Sequence, residues 1–175
     1  FDPNDVKAVI SAGCLAHDVG NPAYGHSGEK AISNYFVKNE KTIIGGQDLR
    51  SYFSEKEWLD LIDFEGNANA LRVLTHQYKG KTAGGLNLTY ATLCSILKYP
   101  CESIAKNRKH KHLKKYGFFQ SEKEIFEDIT KESMMYLESK EPISYKRHPF
   151  VYMVEAADDI CYRIIDIEDA HRIGI

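Results

Sequence analysis

Apolar residues recur along this chain at the three- and four-residue spacing of helices, and almost nowhere alternate with a strand's period of two. From Asp5 to His17, the residues Val6, Val9, Ile10, Gly13 and Cys14 fall on one stripe, and His17 continues it, which predicts an inward-pointing imidazole. Gly20, Asn21, Pro22 and Gly25 interrupt the pattern before a second helix expected from about Ser27 to Val37. Gly45 and Gly46 mark a loop. The run Ser54-Glu55-Lys56-Glu57 has the spacing of a capping box ahead of Trp58, Leu61 and Ile62, and predicts a long helix through to Gln77. Lys79 to Gly85, rich in glycine, reads as a mobile loop, and Leu88 to Leu97 as a helix stopped at Pro100. A second capping-box match, Ser121-Glu122-Lys123-Glu124, opens a helix expected to reach about Leu137. The last helix begins near Pro149, whose ring suits a first turn, and is expected to carry Val151, Val154, Ala157, Cys161, Ile164 and Ile165 inward. The fold class is therefore all-α, one domain over residues 1–175, without internal repeats.

The formal charge of −2 argues against binding nucleic acid or an anionic membrane through bulk charge. Cys14, Cys94, Cys101 and Cys161 stand far apart with no C-x-x-C pair, a pattern of reduced thiols in a cytoplasmic protein rather than of a zinc ribbon or disulfide framework. No apolar run approaches the roughly 20 residues of a membrane span, so no membrane partner is expected. Phe1 is not an initiating methionine and Ile175 follows directly on a helical pattern, so both ends read as cut from a longer protein.

The adjacent pair His17-Asp18, closing a buried stripe, offers one imidazole and one carboxylate to a divalent cation. Alone, it reads first as a helix-end histidine before a turn. The wider string His17-Asp18-Val19-Gly20-Asn21-Pro22-Ala23-Tyr24-Gly25-His26-Ser27-Gly28-Glu29 resembles the HD-G-N-P-x-[FY]-G-H-x-G-E signature of the deoxyguanosinetriphosphate triphosphohydrolase (dGTPase) family, within the HD-domain superfamily. Three later blocks resemble the same family in the same order. They are Phe64-Glu65-Gly66-Asn67-Ala68, then Leu86-Asn87-Leu88-Thr89 with Ile96-Leu97-Lys98-Tyr99, then Glu155-Ala156-Ala157-Asp158-Asp159-Ile160 with Tyr162.

The resemblance implies a fragment of an HD-domain helical bundle and hydrolysis of dGTP or a related dNTP to deoxynucleoside and inorganic triphosphate. It implies His17, Asp18 and Asp158 as metal ligands together with an earlier histidine. No histidine precedes His17 here, and that ligand is expected upstream of Phe1. Asp158 is preferred to Asp159 because Asp158, Tyr162 and Asp166 repeat at i, i+4, i+8 on one helix face. The family pattern gives Tyr162 the deoxyribose ring and Asp166 the 3′-hydroxyl, where core packing would be the plain alternative for Tyr162. It makes His26 the proton donor near the α-phosphate, assisted by Glu29, although a carboxylate also suits a helix start on its own.

Asn67, Lys98, Tyr99 and Lys115 align with positions that hold the phosphates. Lys98 could equally serve a helix's negative end, and Tyr116 stands where the family block after Lys115 has a proline. Mixed imidazole and carboxylate ligands suit Mn2+, Fe2+, Co2+ or Ni2+, and Mg2+ less because it prefers oxygen; Mn2+ is the ion expected. Relatives of this kind assemble as hexamers or tetramers, so a homo-oligomer is expected. The basic tract from Lys106 to Lys115 has no aromatic residue for stacking on bases. It is expected more as a flexible flap near the triphosphate than as a weak contact with single-stranded nucleic acid, with His110 and His112 exposed. Two rivals remain: an HD phosphohydrolase of nucleoside monophosphates or cyclic nucleotides, and a non-catalytic nucleotide-sensing module. The triphosphate reading requires Asn67, Lys98 and Tyr99 in one cavity with His17 and Asp158.

Overall fold

The structure, a computed structural model, describes residues 2–80 and 83–175. Its helices are α1 (Pro3–Ala16), α2 (His26–Asn39), α3 (Glu55–Ile62), α4 (Gly66–Thr75), α5 (Tyr90–Ile96), α6 (Lys123–Glu132) and α7 (Pro149–Ile173). Strands form only two small antiparallel pairs among the described residues, β1 (Ile43–Ile44) with β2 (Gln47–Asp48) and β3 (Leu137–Lys140) with β4 (Ile143–Tyr145). The class is all-α. Residues 81 and 82 of the predicted glycine-rich loop, and Phe1, lie outside the described residues.

The short helix α5 is the hub, buried from Thr92 to Ile96 and packed against both α1 and α7. Gly13 makes this possible on α1. A Cβ there would overlap the Ser95 hydroxyl and reach Val154 Cγ2 at 3.0 Å, so only a bare backbone lets the three helices close. Around α5 the core gathers Leu71 and Leu74 of α4 and Phe126 and Ile129 of α6, with Phe118 stacked on Phe126 at 4.0 Å between ring centroids. A smaller cluster holds Ala68, Cys101 and Tyr116, whose hydroxyl donates to the Asp60 carbonyl at 3.0 Å.

Four sequence expectations are corrected. The single helix from Ser54 to Gln77 is two. The capping box at Ser54 forms, but Asp63 leaves the helical region, the Phe64 N–H donates to Ser33 Oγ at 2.9 Å, and Glu65 caps a new helix at Gly66. Gly66 is a poor interior helix residue and a good place for a close approach, here to Glu29 Oε1, which a Cβ would meet at 3.0 Å. The second capping box does not form: Arg72 draws Glu122 into an ion pair, Ser121 Oγ donates to Glu122 Oε2 at 2.8 Å, and α6 starts at Lys123.

That helix stops at Glu132, where Met134 at φ 50 turns the chain toward β3, so Leu137 is strand rather than helix. Lastly, Cys161, Ile164 and Ile165 do not point into the core, because every residue from Asp159 to Asp169 is exposed. The 25 residues of α7 outrun the 14 of α1 and 7 of α5 that cover Val151 and Val154, so the apolar stripe continues past the elements that bury it. Among the described residues no helix is long and apolar enough to cross a membrane.

Candidate active site

The end of α1 and the middle of α7 meet at His17. Its backbone N–H still bonds to Gly13, while Nδ1 lies 2.8 Å from the Cys14 carbonyl. A carbonyl only accepts, so Nδ1 carries the proton and Nε2 is left with a lone pair. Nε2 faces Asp18 Oδ2 at 3.3 Å and Asp158 Oδ1 at 3.5 Å, is sealed from solvent, and makes no hydrogen bond. A lone pair opposed to two carboxylates is satisfied by a positive charge between them, either a second imidazole proton or a cation. The group is open: among the described residues no three His, Cys, Asp or Glu side chains are already drawn together as a metal cage. Its donor chemistry nevertheless fits a divalent ion that accepts both nitrogen and oxygen. Asp159, beside Asp158, lies on the exposed side of α7.

The turn after Asp18 is pinned to α4, where Asn69 Nδ2 donates to the Gly20 carbonyl at 2.8 Å. Tyr24 and Gly25, both at positive φ, then reverse the chain into α2, whose first residue is His26. Nδ1 of His26 donates to Glu29 Oε2 at 2.7 Å, and Glu29 Oε1 accepts the Gly66 N–H at 2.9 Å. Burial pushes the Glu29 carboxyl up, but the Gly66 N–H, His26 and Lys115 outweigh it and hold the group below its ordinary range. Glu29 is thus a fixed anion that aims an exposed imidazole.

A cavity of about 330 Å³ joins these parts and is lined by His17, Asp18, Asn21, His26, Asn67, Lys98, Tyr99, Lys114, Lys115, Glu155 and Asp158. Asn67, Lys98 and Tyr99 thus share one cavity with His17 and Asp158. Three of these lining residues are lysines. Lys115 Nζ donates to Glu65 Oε1 at 3.0 Å, and the same oxygen accepts Asn67 Nδ2 at 2.7 Å. Burial lowers the Lys115 ammonium, yet Glu65 and Glu29 more than reverse this, so it remains charged. Lys98 Nζ lies 3.1 Å from Glu155 Oε1, and the buried Arg147 holds both partners, with NH1 3.0 Å from Glu155 Oε2 and Nε 2.7 Å from the Lys98 carbonyl. Arg147 also lies over the Tyr99 ring at 5.6 Å. A second cavity, of about 530 Å³, continues past His26, Lys114 and Lys115. A separate, more apolar cleft beside α3 and α4, lined by Phe53, Phe64, Phe119 and Arg72, contains none of the site residues above.

Tyr162 and Asp166 follow Asp158 along α7 but are exposed and do not line the cavity. The basic tract is no free flap: Lys106 pairs with Asp63, Lys115 with Glu65, and His112 with Glu138 of the β3–β4 hairpin. His112 is therefore only 17% exposed in its side chain, against the expectation from its spacing, because Glu138 draws it in. Sequence reasoning passed over Glu65, Lys114, Arg147 and Glu155. Glu65 and Glu155 stood inside recognised blocks, and the lining role of Lys114 was hidden in a charge run. Arg147 carried no sequence signal, since the Lys98 carbonyl it holds is 49 residues away.

Comparison with protein-family models gives no match. Curated relatives do match. A Pseudomonas aeruginosa protein named deoxyguanosinetriphosphate triphosphohydrolase-like is 44% identical over 169 residues, covering 96% of this chain and 36% of the relative. A Synechocystis protein of the same name is 41% identical over 175 residues, covering 97% and 39%. A Yersinia enterocolitica protein named deoxyguanosinetriphosphate triphosphohydrolase is 35% identical over 187 residues, covering 94% and 34%. The chain spans about a third of the length of the curated relatives it matches. With nearly all of its residues aligned to proteins of that name, and the signature blocks in order along it, the chain belongs to the deoxyguanosinetriphosphate triphosphohydrolase family.

Proposed function

We propose that this chain carries much of the active site of a metal-dependent hydrolase that converts dGTP or a related deoxynucleoside triphosphate to deoxynucleoside and inorganic triphosphate. The names of the relatives support a triphosphohydrolase. The observation that carries the finer reading is the content of the cavity: an imidazole and two carboxylates share it with Lys98, Lys114, Lys115 and Asn67, and with His26, which Glu29 holds. A nucleoside monophosphate or cyclic nucleotide needs no such set of lysines, whereas a triphosphate carries roughly four negative charges to be balanced.

His17, Asp18 and Asp158 would hold the ion, taken as Mn2+, one of the divalent ions that accept both nitrogen and oxygen donors, with a further histidine completing the set. Such an ion, when bound, lowers the pKa of a water molecule and offsets charge on phosphoryl oxygens. Asn67, Lys98, Tyr99 and Lys115 hold the phosphates, with Arg147 fixing Lys98 and Tyr99 in place. As the bond from the α-phosphorus to the sugar oxygen breaks, His26 gives that oxygen a proton, and Glu29 keeps the imidazole aimed. Water adds to the α-phosphate, so deoxynucleoside and inorganic triphosphate leave. Tyr162 and Asp166, next along α7 on the Asp158 side, take the sugar.

The test is product analysis of dGTP turnover by the full-length protein with Mn2+, beside His17→Ala. Deoxyguanosine and triphosphate should appear in equal amounts and vanish in the variant. Orthophosphate or diphosphate as product, or undiminished turnover by His17→Ala, contradicts the proposal.

A further inference from the structure

We infer that the strap of residues 106–115 is a polyphosphate clasp, in which Lys111 and Lys114 add to the phosphate contacts and Glu155 keeps Lys111 over the cavity until a polyphosphate takes its place. The inference rests on the triphosphate reading of this cavity and extends it to residues outside the recognised blocks.

The strap is built rather than loose. Asn107 N–H donates to the Leu113 carbonyl at 2.7 Å, closing the segment on itself. Leu113 packs on the buried cluster of Ala68, Cys101 and Tyr116, and the ion pairs of Lys106, Lys115 and His112 fasten the strap to the α3–α4 turn and to the β3–β4 hairpin. A solvated charge run would show none of these anchors.

Lys111 and Lys114 are not among these anchors. Lys114 lines both this cavity and its neighbour and makes no ion pair among the described residues. Lys111 reaches Glu155 Oε2 at 3.6 Å, although that carboxylate already meets Lys98 at 3.1 Å and Arg147 at 3.0 Å. One negative charge thus faces three positive ones. Arg147 is 2% exposed in its side chain and bound to the Lys98 carbonyl, so it stays. Lys111 is 77% exposed, and an ion pair that wet and that long contributes little, so exchanging Glu155 for a phosphate oxygen costs little. The excess positive charge at this end is what a polyanion would neutralise.

The test measures inorganic tripolyphosphate binding by calorimetry at two salt concentrations, and steady-state dGTP hydrolysis, on the full-length protein. The variants are Lys111→Gln, Lys114→Gln, Lys111→Arg and, as a control on the exposed side of the strap, Lys109→Gln. Lys111→Gln and Lys114→Gln should each weaken tripolyphosphate about fivefold, flatten its salt dependence, and raise KM with kcat within about twofold. Lys111→Arg should retain affinity and Lys109→Gln should match the parent. Affinities within twofold of the parent for both glutamine variants overturn the clasp, as does an equal loss in Lys109→Gln, which would mean bulk charge alone. Loss of single-stranded DNA binding with tripolyphosphate affinity unchanged also overturns it. A parent that turns over dGTP with unaffected variants refutes only the clasp, whereas a parent that neither binds tripolyphosphate nor hydrolyses dGTP refutes the triphosphate reading beneath it.

Discussion

Gly20→Ala tests whether the turn after His17-Asp18 owes its position to direct backbone contact with α4. A Cβ at Gly20 would overlap Ala70 N and Gly66 O and stand 2.6 Å from Ala70 Cα, where carbon atoms ordinarily rest about 3.5–4.0 Å apart. All three neighbours are main-chain atoms, so no side chain can rotate aside, and the turn and α4 must separate by roughly 1 Å. Forcing one carbon into such a contact costs about 1–3 kcal/mol. The separation also stretches the 2.8 Å bond from Asn69 Nδ2 to the Gly20 carbonyl, a further loss of about 1 kcal/mol. The total, about 2–4 kcal/mol, lowers the melting temperature of a domain this size by roughly 4–16 °C. The assay is thermal and urea unfolding of the full-length protein. Gly25→Ala serves as the comparison, since no atom lies within 4 Å of its Cβ and only the backbone, at φ 54° and ψ −126°, opposes it, at about 1–3 kcal/mol. A Gly20→Ala variant melting within 2 °C of the parent would refute the argument.

Burial pushes the Asp60 carboxyl up to about 6, against the lowering effect of Ser103 and the Gln120 N–H. The folded chain therefore holds this proton more tightly than the unfolded one, and stability falls as pH rises from about 4 to about 6, by about 3 kcal/mol in all. Asp60→Asn should remove that fall and be the more stable protein at pH 8, and an unchanged urea midpoint at both pH values argues against it. Glu29 has the opposite sign. Its carboxyl is held below the ordinary range, so its contribution is present at neutral pH and disappears as pH drops through that lowered value. Glu29→Gln should lack this acid loss and reduce kcat about 100-fold, readable in a pH–rate profile. Phe126→Ala should cost about 3–5 kcal/mol by emptying the space stacked against Phe118, and a urea-derived loss below 1 kcal/mol would show that the core collapses around it.

The two copies of Ser-Glu-Lys-Glu measure how far sequence reaches into this fold. Both tetrapeptides fit the capping box, yet only the one at Ser54 forms it, because Arg72, distant in sequence, claims Glu122 and meets Ser121 Oγ at 3.1 Å. The break at residues 63–65 was hidden for a similar reason. The apolar spacing of Trp58, Leu61 and Ile62 carries on beyond it, and what stops the helix is Ser33 and the carboxylate of Glu65. Periodicity along α7 correctly marked Val151 and Val154 but said nothing of where α1 and α5 run out. His17, Asp18, His26 and Glu29 were legible because a single contiguous string carries them. Arg147 was not, since its work lies in a carbonyl and a ring brought to it only by folding.

α5 packs against both α1 and α7, which also touch each other, and runs on directly into Lys98 and Tyr99. The relative placement of His17, Asp158, Lys98 and Tyr99 is therefore built into the helical scaffold and resists drift. Lys111 and Lys114 hang from a segment outside that scaffold. Divergence among descendants of this architecture should accordingly concentrate in residues 106–115, where new preferences for anionic ligands can arise with the chemistry next to His17 left intact.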